Sequence, residues 1–150
     1  PTLIRAFAPF RDRAQLVIIG DGPNRQQLES LAPEADFPGM LAEDDLLAWY
    51  NRIDILVLPS FQEAYGAVTS EALMAGAKVI VSRTAGSADL VREGENGFLV
   101  DPTDEAGLTE RIGRLLDGVG TARPLTLREN LHPYRFADCA GKLTDFLGGL

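Results

Sequence analysis

The stretch Ile53-Asp-Ile-Leu-Val-Leu-Pro-Ser60 decides the fold of this 150-residue chain. Residues 55–58 form a continuous apolar run that predicts a buried strand. Similar runs occur at residues 16–19 and 79–81, and helical patterns separate the three. Continuous apolar strands that alternate with helices are typical of a parallel sheet covered on both faces. The sequence therefore predicts one α/β, Rossmann-like three-layer domain with these runs as central strands.

The remaining elements follow from helical spacing, acidic first turns and turn residues. Helices are predicted at residues 1–9, 24–32, 43–51, 66–75, 86–91 and 103–116, and from about residue 134 to 146. The helix at 103–116 begins at a cap-like Thr103 or Asp104. A short strand is predicted around residues 36–37, and a turn at Asn96-Gly97 leads into another at 98–100.

A second informative stretch, Glu63-Ala-Tyr-Gly-Ala-Val-Thr-Ser-Glu71, lies directly behind the strand at 55–58. If a helix begins near Gly66, Glu63 lies in the loop before it, and Glu71 lies about 7 Å along its axis. Free backbone amides and the positive end of the helix dipole favour a phosphate between the two carboxylates. Carboxylates accept hydrogen bonds from hydroxyls. A nucleotide sugar, with hydroxyls at both ends and phosphate between, fits this arrangement.

Loops that follow the predicted strands should form the binding edge. Gly20-Asp-Gly22, Ser60-Phe-Gln-Glu63 and Ser82-Arg-Thr-Ala-Gly86 each come directly after a strand. In parallel sheets of this kind, ligands bind outside the carboxyl ends of the strands. The fold and the paired glutamates thus indicate the same place.

Composition excludes several classes of function. A net charge of −8 argues against a nucleic-acid-binding protein, which needs a basic surface. One histidine, His132, and one cysteine, Cys139, do not make a zinc site or a histidine-activated nucleophile. A lone cysteine suits a reducing compartment, and no apolar stretch is long enough to span a bilayer, so we expect a cytoplasmic protein.

The start of the chain suggests a fragment. It has no initiator methionine and opens on Pro1-Thr-Leu-Ile-Arg-Ala-Phe7, which already fits a helix. We therefore expect an N-terminally truncated domain of a longer protein, with any targeting signal outside the sequence.

Six motifs, taken in order, resemble one family over almost the whole chain. They are Gly20-Asp-Gly-Pro23, Phe37-Pro-Gly39, Asp54-Ile-Leu-Val-Leu-Pro-Ser60, the Glu63-x7-Glu71 element, Ala72-Leu-Met-Ala-Gly76 and Asn96-Gly-Phe-Leu-Val-Asp-Pro102. Their order and spacing resemble the C-terminal, nucleotide-sugar-binding half of the retaining glycosyltransferases of the GT-B type, the group 1 or family 4 set. The resemblance implies that residues 1–150 form the donor-binding domain and that the acceptor-binding domain lies outside the chain.

The resemblance also implies roles for individual residues. Glu63 would be the catalytic residue, in contact with the donor sugar near the reacting centre and with a positioning role. Glu71 would accept hydrogen bonds from the ribose hydroxyls. The distal phosphate would lie on the amides around Gly66, Ala67 and Val68.

The other implied donor contacts lie outside the paired-glutamate element or between its ends. Main chain near Met40 and Leu41 would border the base. Gly20, Gly22 and Tyr65 complete the predicted substrate-binding set. Ala85-Gly86 stands where the family usually has two glycines, which leaves one glycine for a close backbone approach.

The activity implied is transfer of a hexose-type sugar, with retention of configuration, to an acceptor such as a growing glycan or a lipid-linked saccharide. The donor would be a nucleoside diphosphate sugar, with no cofactor and no metal required. In the family an Arg and a Lys grip the leaving diphosphate from the segment before the Leu-Ile-x-Ala-Phe helix, which here would lie upstream of Pro1. The N-terminal acceptor-binding domain would be the partner and could make a peripheral membrane contact, and the chain alone should be inactive.

Alternative interpretations remain. One is a non-catalytic nucleotide-sugar binding module on the same scaffold, since fold alone does not establish chemistry. Another is a nucleotide-sugar epimerase, which would lack the Glu63-x7-Glu71 element. A dinucleotide fingerprint at Gly20-x-Gly22 lacks its third glycine. Acids at residues 43–45 are better explained by a helix first turn than by a metal site.

Overall fold

The computed structural model describes residues 1–119 and 129–133. In these residues the helices are α1 (Thr2–Phe7), α2 (Arg25–Leu31), α3 (Glu43–Tyr50), α4 (Ala67–Met74) and α5 (Glu105–Gly118), with short 3-10 helices at Ala8–Phe10 and Gly86–Leu90. The strands are β1 (Val17–Ile19), β2 (Asp36–Gly39), β3 (Ile55–Leu58), β4 (Lys78–Ser82) and β5 (Gly97–Val100). The elements predicted for this part of the chain are all present, whereas the predicted helix at 134–146 lies outside the described residues. Within that same part, no helix has both the length and the hydropathy to span a membrane.

All strand pairing is parallel, as predicted, but hydrogen bonds join the strands into two sheets. β1 pairs with β2, and a second sheet has the order β3-β4-β5. The expectation that three strands would be central is therefore correct for β4 and wrong for β1 and β3. Apolar character shows that a strand is covered on its faces, but pairing depends on where the helices place each strand in space.

The β3-β4-β5 sheet is covered by helices on both faces, which confirms the predicted three layers. β4 alternates between two core clusters: Val79 and Val81 pack with residues of α3 and α4, while Ile80 packs with residues of α1 and α5. All three side chains are fully buried. Successive residues of a strand face opposite sides, so β4 holds the two layers together.

Local interactions explain where α5 begins and how the chain turns into β5. Asp104 caps α5, because its carboxylate accepts a hydrogen bond from the Gly107 amide at 2.8 Å. The turn expected at Asn96-Gly97 covers residues 94–96, and its positive φ, +81°, is at Gly94. Gly97 already belongs to β5, and a Cβ there would lie 2.1 Å from the Val79 carbonyl oxygen. Gly97 therefore serves the close approach of β5 to β4 and not the turn.

Candidate active site

The loop between β3 and α4 carries Glu63 and turns sharply into the helix. Gly66 is the N-cap of α4 and has φ +79° and ψ +50°, the left-handed region. A Cβ at Gly66 would lie 2.5 Å from the Ser87 hydroxyl oxygen and 3.1 Å from Leu58 Cδ2. Both backbone angle and space therefore require glycine here. α4 begins one residue after the predicted position near Gly66.

Glu63 is held by its own loop. Its Oε1 accepts hydrogen bonds from the amides of Tyr65, at 3.3 Å, and Gly66, at 3.2 Å. Its carbonyl accepts from the Gly86 amide at 2.9 Å, and Glu63 forms a parallel bridge with Ala85. Within the described residues Oε2 has no hydrogen-bond partner, so one carboxylate oxygen anchors the side chain and the other is available to a ligand.

Gly86 makes the approach of this loop possible. A Cβ at Gly86 would lie 2.2 Å from the Ala64 carbonyl oxygen. The neighbouring Ala85 is buried and its side chain belongs to the core cluster that contains Tyr50. The one glycine of the Ala85-Gly86 pair thus stands where the backbones come closest, as expected from the sequence.

The amides at the start of α4 are only partly available to an anion. The Gly66 amide already donates to Glu63, and the Thr69 amide donates to the Gly66 carbonyl at 2.9 Å. The amides of Ala67 and Val68 make no hydrogen bond within the described part of the chain. Of the three predicted phosphate-binding amides, those of Ala67 and Val68 remain open. The Gly66 amide already donates to the Glu63 carboxylate, so a phosphate would compete with that carboxylate for it.

Glu71 lies in the second turn of α4 and is half-buried. Tyr50, the last residue of α3, is buried in the core cluster that also contains Ala72 and Leu73 of α4. Burial raises the pKa of Tyr50 above its usual range, and the Glu71 carboxylate raises it further, although the hydroxyl has no hydrogen bond of ordinary geometry among the described residues. The second glutamate of the element therefore sits at the border of the core and not on open surface.

The glycines predicted to contact the donor lie together on the other sheet. The Gly20 amide donates to the Gly39 carbonyl at 2.8 Å, where β1 and β2 end. Gly20 and Gly22 line a cavity of about 240 Å³, together with Phe37 and Arg25 of the neighbouring elements. This cavity does not include Glu63 or Glu71, so the predicted residues form two groups at the carboxyl edge.

The other three predicted residues, Met40, Leu41 and Tyr65, are exposed or half-buried. Met40 is 77% exposed and follows β2 directly, and Leu41 beside it is half-buried. Tyr65 is 66% exposed, in the loop before α4. Single exposed apolar side chains are common on protein surfaces, so the exposure of Met40 and Tyr65 does not by itself mark a contact.

Cations are engaged elsewhere in the part of the chain that the structure describes. Ion pairs occupy Arg5, Arg11, Arg13, Arg25, Arg83, Arg92 and Arg114, the Arg52 guanidinium lies over Trp49, and Lys78 and Arg111 donate to backbone carbonyls. Arg83, in the loop that follows β4, has its guanidinium 3.9 Å from the Glu93 carboxylate. Residues 1–119 and 129–133 contain no group of three or more His, Cys, Asp or Glu side chains arranged to hold a metal.

Sequence patterns missed two polar residues at this site. Tyr50 falls at an apolar helical position of α3, a spacing that predicts only a core residue. Thr69, inside the paired-glutamate element, shares a buried 2.9 Å hydrogen bond with Ser87 that ties α4 to the Gly86–Leu90 helix. In a sequence, such residues can be recognised as hydroxyl-bearing side chains on a helix face that is otherwise apolar.

Comparison with known proteins agrees with this geometry. Residues 1–118 match the family model of the group 1 glycosyl transferases. The chain is 38% identical over 94 residues to a GDP-mannose-dependent alpha-mannosyltransferase of Corynebacterium glutamicum, covering 63% of this chain and 23% of that protein. It is 35% identical over 133 residues to a D-inositol 3-phosphate glycosyltransferase of Acidothermus cellulolyticus, covering 76% and 30%. The chain thus spans between a fifth and a third of the length of these relatives.

Solved structures share the fold. Sucrose-phosphate synthase from Thermosynechococcus elongatus superimposes with a TM-score of 0.65 at 27% identity, over 77% of this chain and 33% of that one. The Anabaena protein HepE, solved in complex with UDP, superimposes with a TM-score of 0.74 at 22% identity, over 99% and 44%. A second HepE structure contains UDP-glucose and gives a TM-score of 0.71. Because the two HepE structures cover 99% of this chain, their likeness includes both sheets and the helices that cover them.

Proposed function

The chain belongs to the group 1 glycosyl transferases, and we propose that it is the nucleotide-sugar-binding domain of a retaining glycosyltransferase. The observation that carries the proposal is the start of α4, with an anchored carboxylate before it, two open amides, and a second carboxylate one turn inside. Relatives that are named as GDP-mannose-dependent, and a neighbour of the same fold that binds UDP-glucose, support a nucleoside diphosphate sugar as the donor.

The proposed donor lies along the start of α4. Its distal phosphate accepts hydrogen bonds from the Ala67 and Val68 amides, where the helix dipole also favours negative charge. Glu71, one turn further along, accepts from the ribose hydroxyls. Glu63 accepts from a hydroxyl of the sugar through Oε2, while Oε1 stays on its own loop. Main chain at Met40 and Leu41 borders the base.

The proposed role of Glu63 is to orient the sugar and not to attack it. Its carboxylate is tied to two amides of a tight loop, which fixes its direction. In the transfer step, the bond from the anomeric carbon to the phosphate oxygen breaks with oxocarbenium character, and negative charge grows on the leaving diphosphate. Donors fixed in advance at that diphosphate lower the barrier, and the amides of α4 supply part of this stabilisation.

The rest of the stabilisation is proposed to come from outside the described residues. The described cations contact groups other than Glu63 and Glu71, so no cation of the described residues pairs with either carboxylate. We assign the missing positive charge to an Arg and a Lys elsewhere in the full-length protein. The full-length protein would also contain the acceptor-binding domain and make any membrane contact. The chain alone should then bind donor weakly and transfer nothing. A cytoplasmic location and independence from metals stay predictions.

A transfer assay on the full-length protein tests the proposal. UDP, GDP and ADP sugars are supplied in turn, release of the nucleoside diphosphate is measured, and NMR reports the configuration of the product. We expect release from one donor with retention, and Glu63→Ala should lower turnover by about 100-fold or more because the sugar loses its orientation. Glu110→Ala, on the far helix α5, is the control of equal charge and should act like wild type.

Two results would contradict it. If every donor binds and none is consumed, the chain is the non-catalytic binding module that the fold also allows. If the product has inverted configuration, the retaining mechanism is wrong although the donor site stands.

A further inference from the structure

The loop after β4 holds the loop that carries Glu63. The Thr84 hydroxyl donates to the carbonyl oxygen of Phe61 at 3.0 Å and to that of Ser60 at 3.3 Å. Two residues further along each loop, the Gly86 amide donates to the Glu63 carbonyl at 2.9 Å. The strand-to-helix loop is therefore attached to its neighbour at two points, by the backbone at Glu63 itself and by a side chain two residues before it.

The hydroxyls at this contact form a chain with a fixed direction. Ser82 Oγ lies 2.9 Å from Thr84 Oγ1, and the Thr84 amide donates to Ser82 Oγ at 3.3 Å. A carbonyl oxygen can only accept, so the single hydrogen of the Thr84 hydroxyl points to the loop carbonyls, and Ser82 donates to Thr84. The chain thus runs from Ser82, which is fully buried at the end of β4, to the backbone of the Glu63 loop.

Resting on the proposed function, we infer that Thr84 is a positioning residue of the transfer reaction: its hydroxyl, supported by Ser82, fixes the loop so that Glu63 Oε2 meets the sugar. The hydrogen bonds that Glu63 Oε1 accepts come from amides of its own loop. The direction of Oε2 is therefore fixed only as well as the backbone of that loop. A threonine suits this role because its branched Cβ restricts χ1 and holds the hydroxyl in one direction.

The proposed nucleotide contacts do not depend on this chain of hydroxyls. They lie on α4, which the buried hydrogen bond between Thr69 and Ser87 holds separately. Loss of the Thr84 hydroxyl should therefore impair the step at the sugar, where Glu63 acts, and spare the binding of a nucleoside diphosphate. A residue that only stabilised the domain would change both together or neither.

Kinetics and nucleotide titrations of the full-length protein test the inference. Thr84→Val removes the hydroxyl and keeps the branched shape. We expect kcat with the preferred sugar donor to fall about threefold to tenfold, the range of one net hydrogen bond, while the affinity for its nucleoside diphosphate stays unchanged. Thr84→Ser keeps the hydroxyl and should retain most of the turnover. Thr109→Val removes a hydroxyl that donates to a carbonyl within α5, so it is the matched control and should act like wild type.

Two double variants separate positioning from a folding defect. Thr84→Val leaves the buried Ser82 hydroxyl without its acceptor, and adding Ser82→Ala removes that unpaired group, so this pair should show the same loss of kcat as Thr84→Val alone. Water can replace the lost hydroxyl at the exposed carbonyl of Phe61, which lets the variants fold but does not fix the loop. In Glu63→Ala, adding Thr84→Val should lower turnover no further, because the group that it positions is absent.

The outcomes distinguish the two claims. Wild type that consumes no sugar donor, or a Glu63→Ala protein that turns over like wild type, overturns the proposed function and the inference with it. An active wild type whose kcat survives Thr84→Val overturns the inference alone. So does a Thr84→Val protein that loses nucleoside diphosphate affinity as much as kcat, or a further loss of turnover when Thr84→Val is added to Glu63→Ala.

Discussion

At the scale of single residues, Gly66 determines both how the chain enters α4 and how the Glu63 carboxylate is anchored. Its left-handed backbone turns the chain into α4 and directs its amide to Glu63. The sequence has a glycine between the two carboxylates and predicts that a helix begins near it. The structure shows why no side chain fits at that position. The sequence did not predict that Glu63 would fold back onto that amide, because the choice between an internal hydrogen bond and a ligand depends on loop geometry.

Substituting Gly66 tests this interpretation. Gly66→Ala should be destabilised by about 1 to 2 kcal/mol from the left-handed backbone and by about 1 to 3 kcal/mol more from the contact with Ser87. Gly94→Ala is the matched control, since Gly94 has φ +81° and a Cβ there would meet nothing within 4 Å. Urea unfolding of both variants measures the difference. Equal losses would show that the contact with Ser87 is relieved at no cost.

At the scale of elements, α4 is held in place by a polar contact that its pattern concealed. The sequence predicted the helix to within one residue at each end, because strand, glycine and apolar spacing agree locally. It could not predict that the Gly86–Leu90 helix would lie against α4, since the two are joined only through the tertiary fold. The buried hydrogen bond between Thr69 and Ser87 is that junction.

Removing one partner should show the strength of this junction. Thr69→Val keeps the shape and leaves the Ser87 hydroxyl unpaired, at an expected cost of about 1 to 3 kcal/mol in the free energy of unfolding. Thr109→Val, which removes only a bond to the carbonyl of Glu105 in its own helix, should cost about 0.5 kcal/mol or less. Adding Ser87→Ala to Thr69→Val should recover stability. If the double variant is weaker still, the hydrogen bond is not what the two residues contribute.

At the scale of the whole molecule, the parallel strands gather the predicted residues at one edge without bringing them into one pocket. Glu63 and Glu71 lie at α4, beside the three-stranded sheet, and Gly20 and Gly22 lie in a cavity of the two-stranded sheet. The sequence predicted every strand in the described range, and the direction of their pairing. It did not predict the division into two sheets, because neither burial nor periodicity says which strands become neighbours.

The distribution of charge belongs to the same scale. The chain carries a net charge of −8, and its described cations are tied to other groups. Among the described residues, a diphosphate at α4 would therefore meet helix amides and no cation that is not already engaged, an end effect of about 0.3 to 1 kcal/mol at an exposed site. For that reason the decisive measurement must use the full-length protein, where the remaining diphosphate contacts are proposed to lie.

The most direct test of donor binding at α4 is calorimetric titration of the full-length protein with UDP, GDP and ADP. Glu71→Ala should lose affinity for the preferred nucleotide, since two charge-assisted hydrogen bonds to ribose are worth about 1.5 to 3 kcal/mol each before water compensates. Glu63→Ala should lose little, because its partner is the sugar that these ligands lack, and Glu110→Ala should match wild type. Equal losses for Glu63→Ala and Glu71→Ala, or wild-type affinity in Glu71→Ala, would contradict the assignment of the ribose to α4.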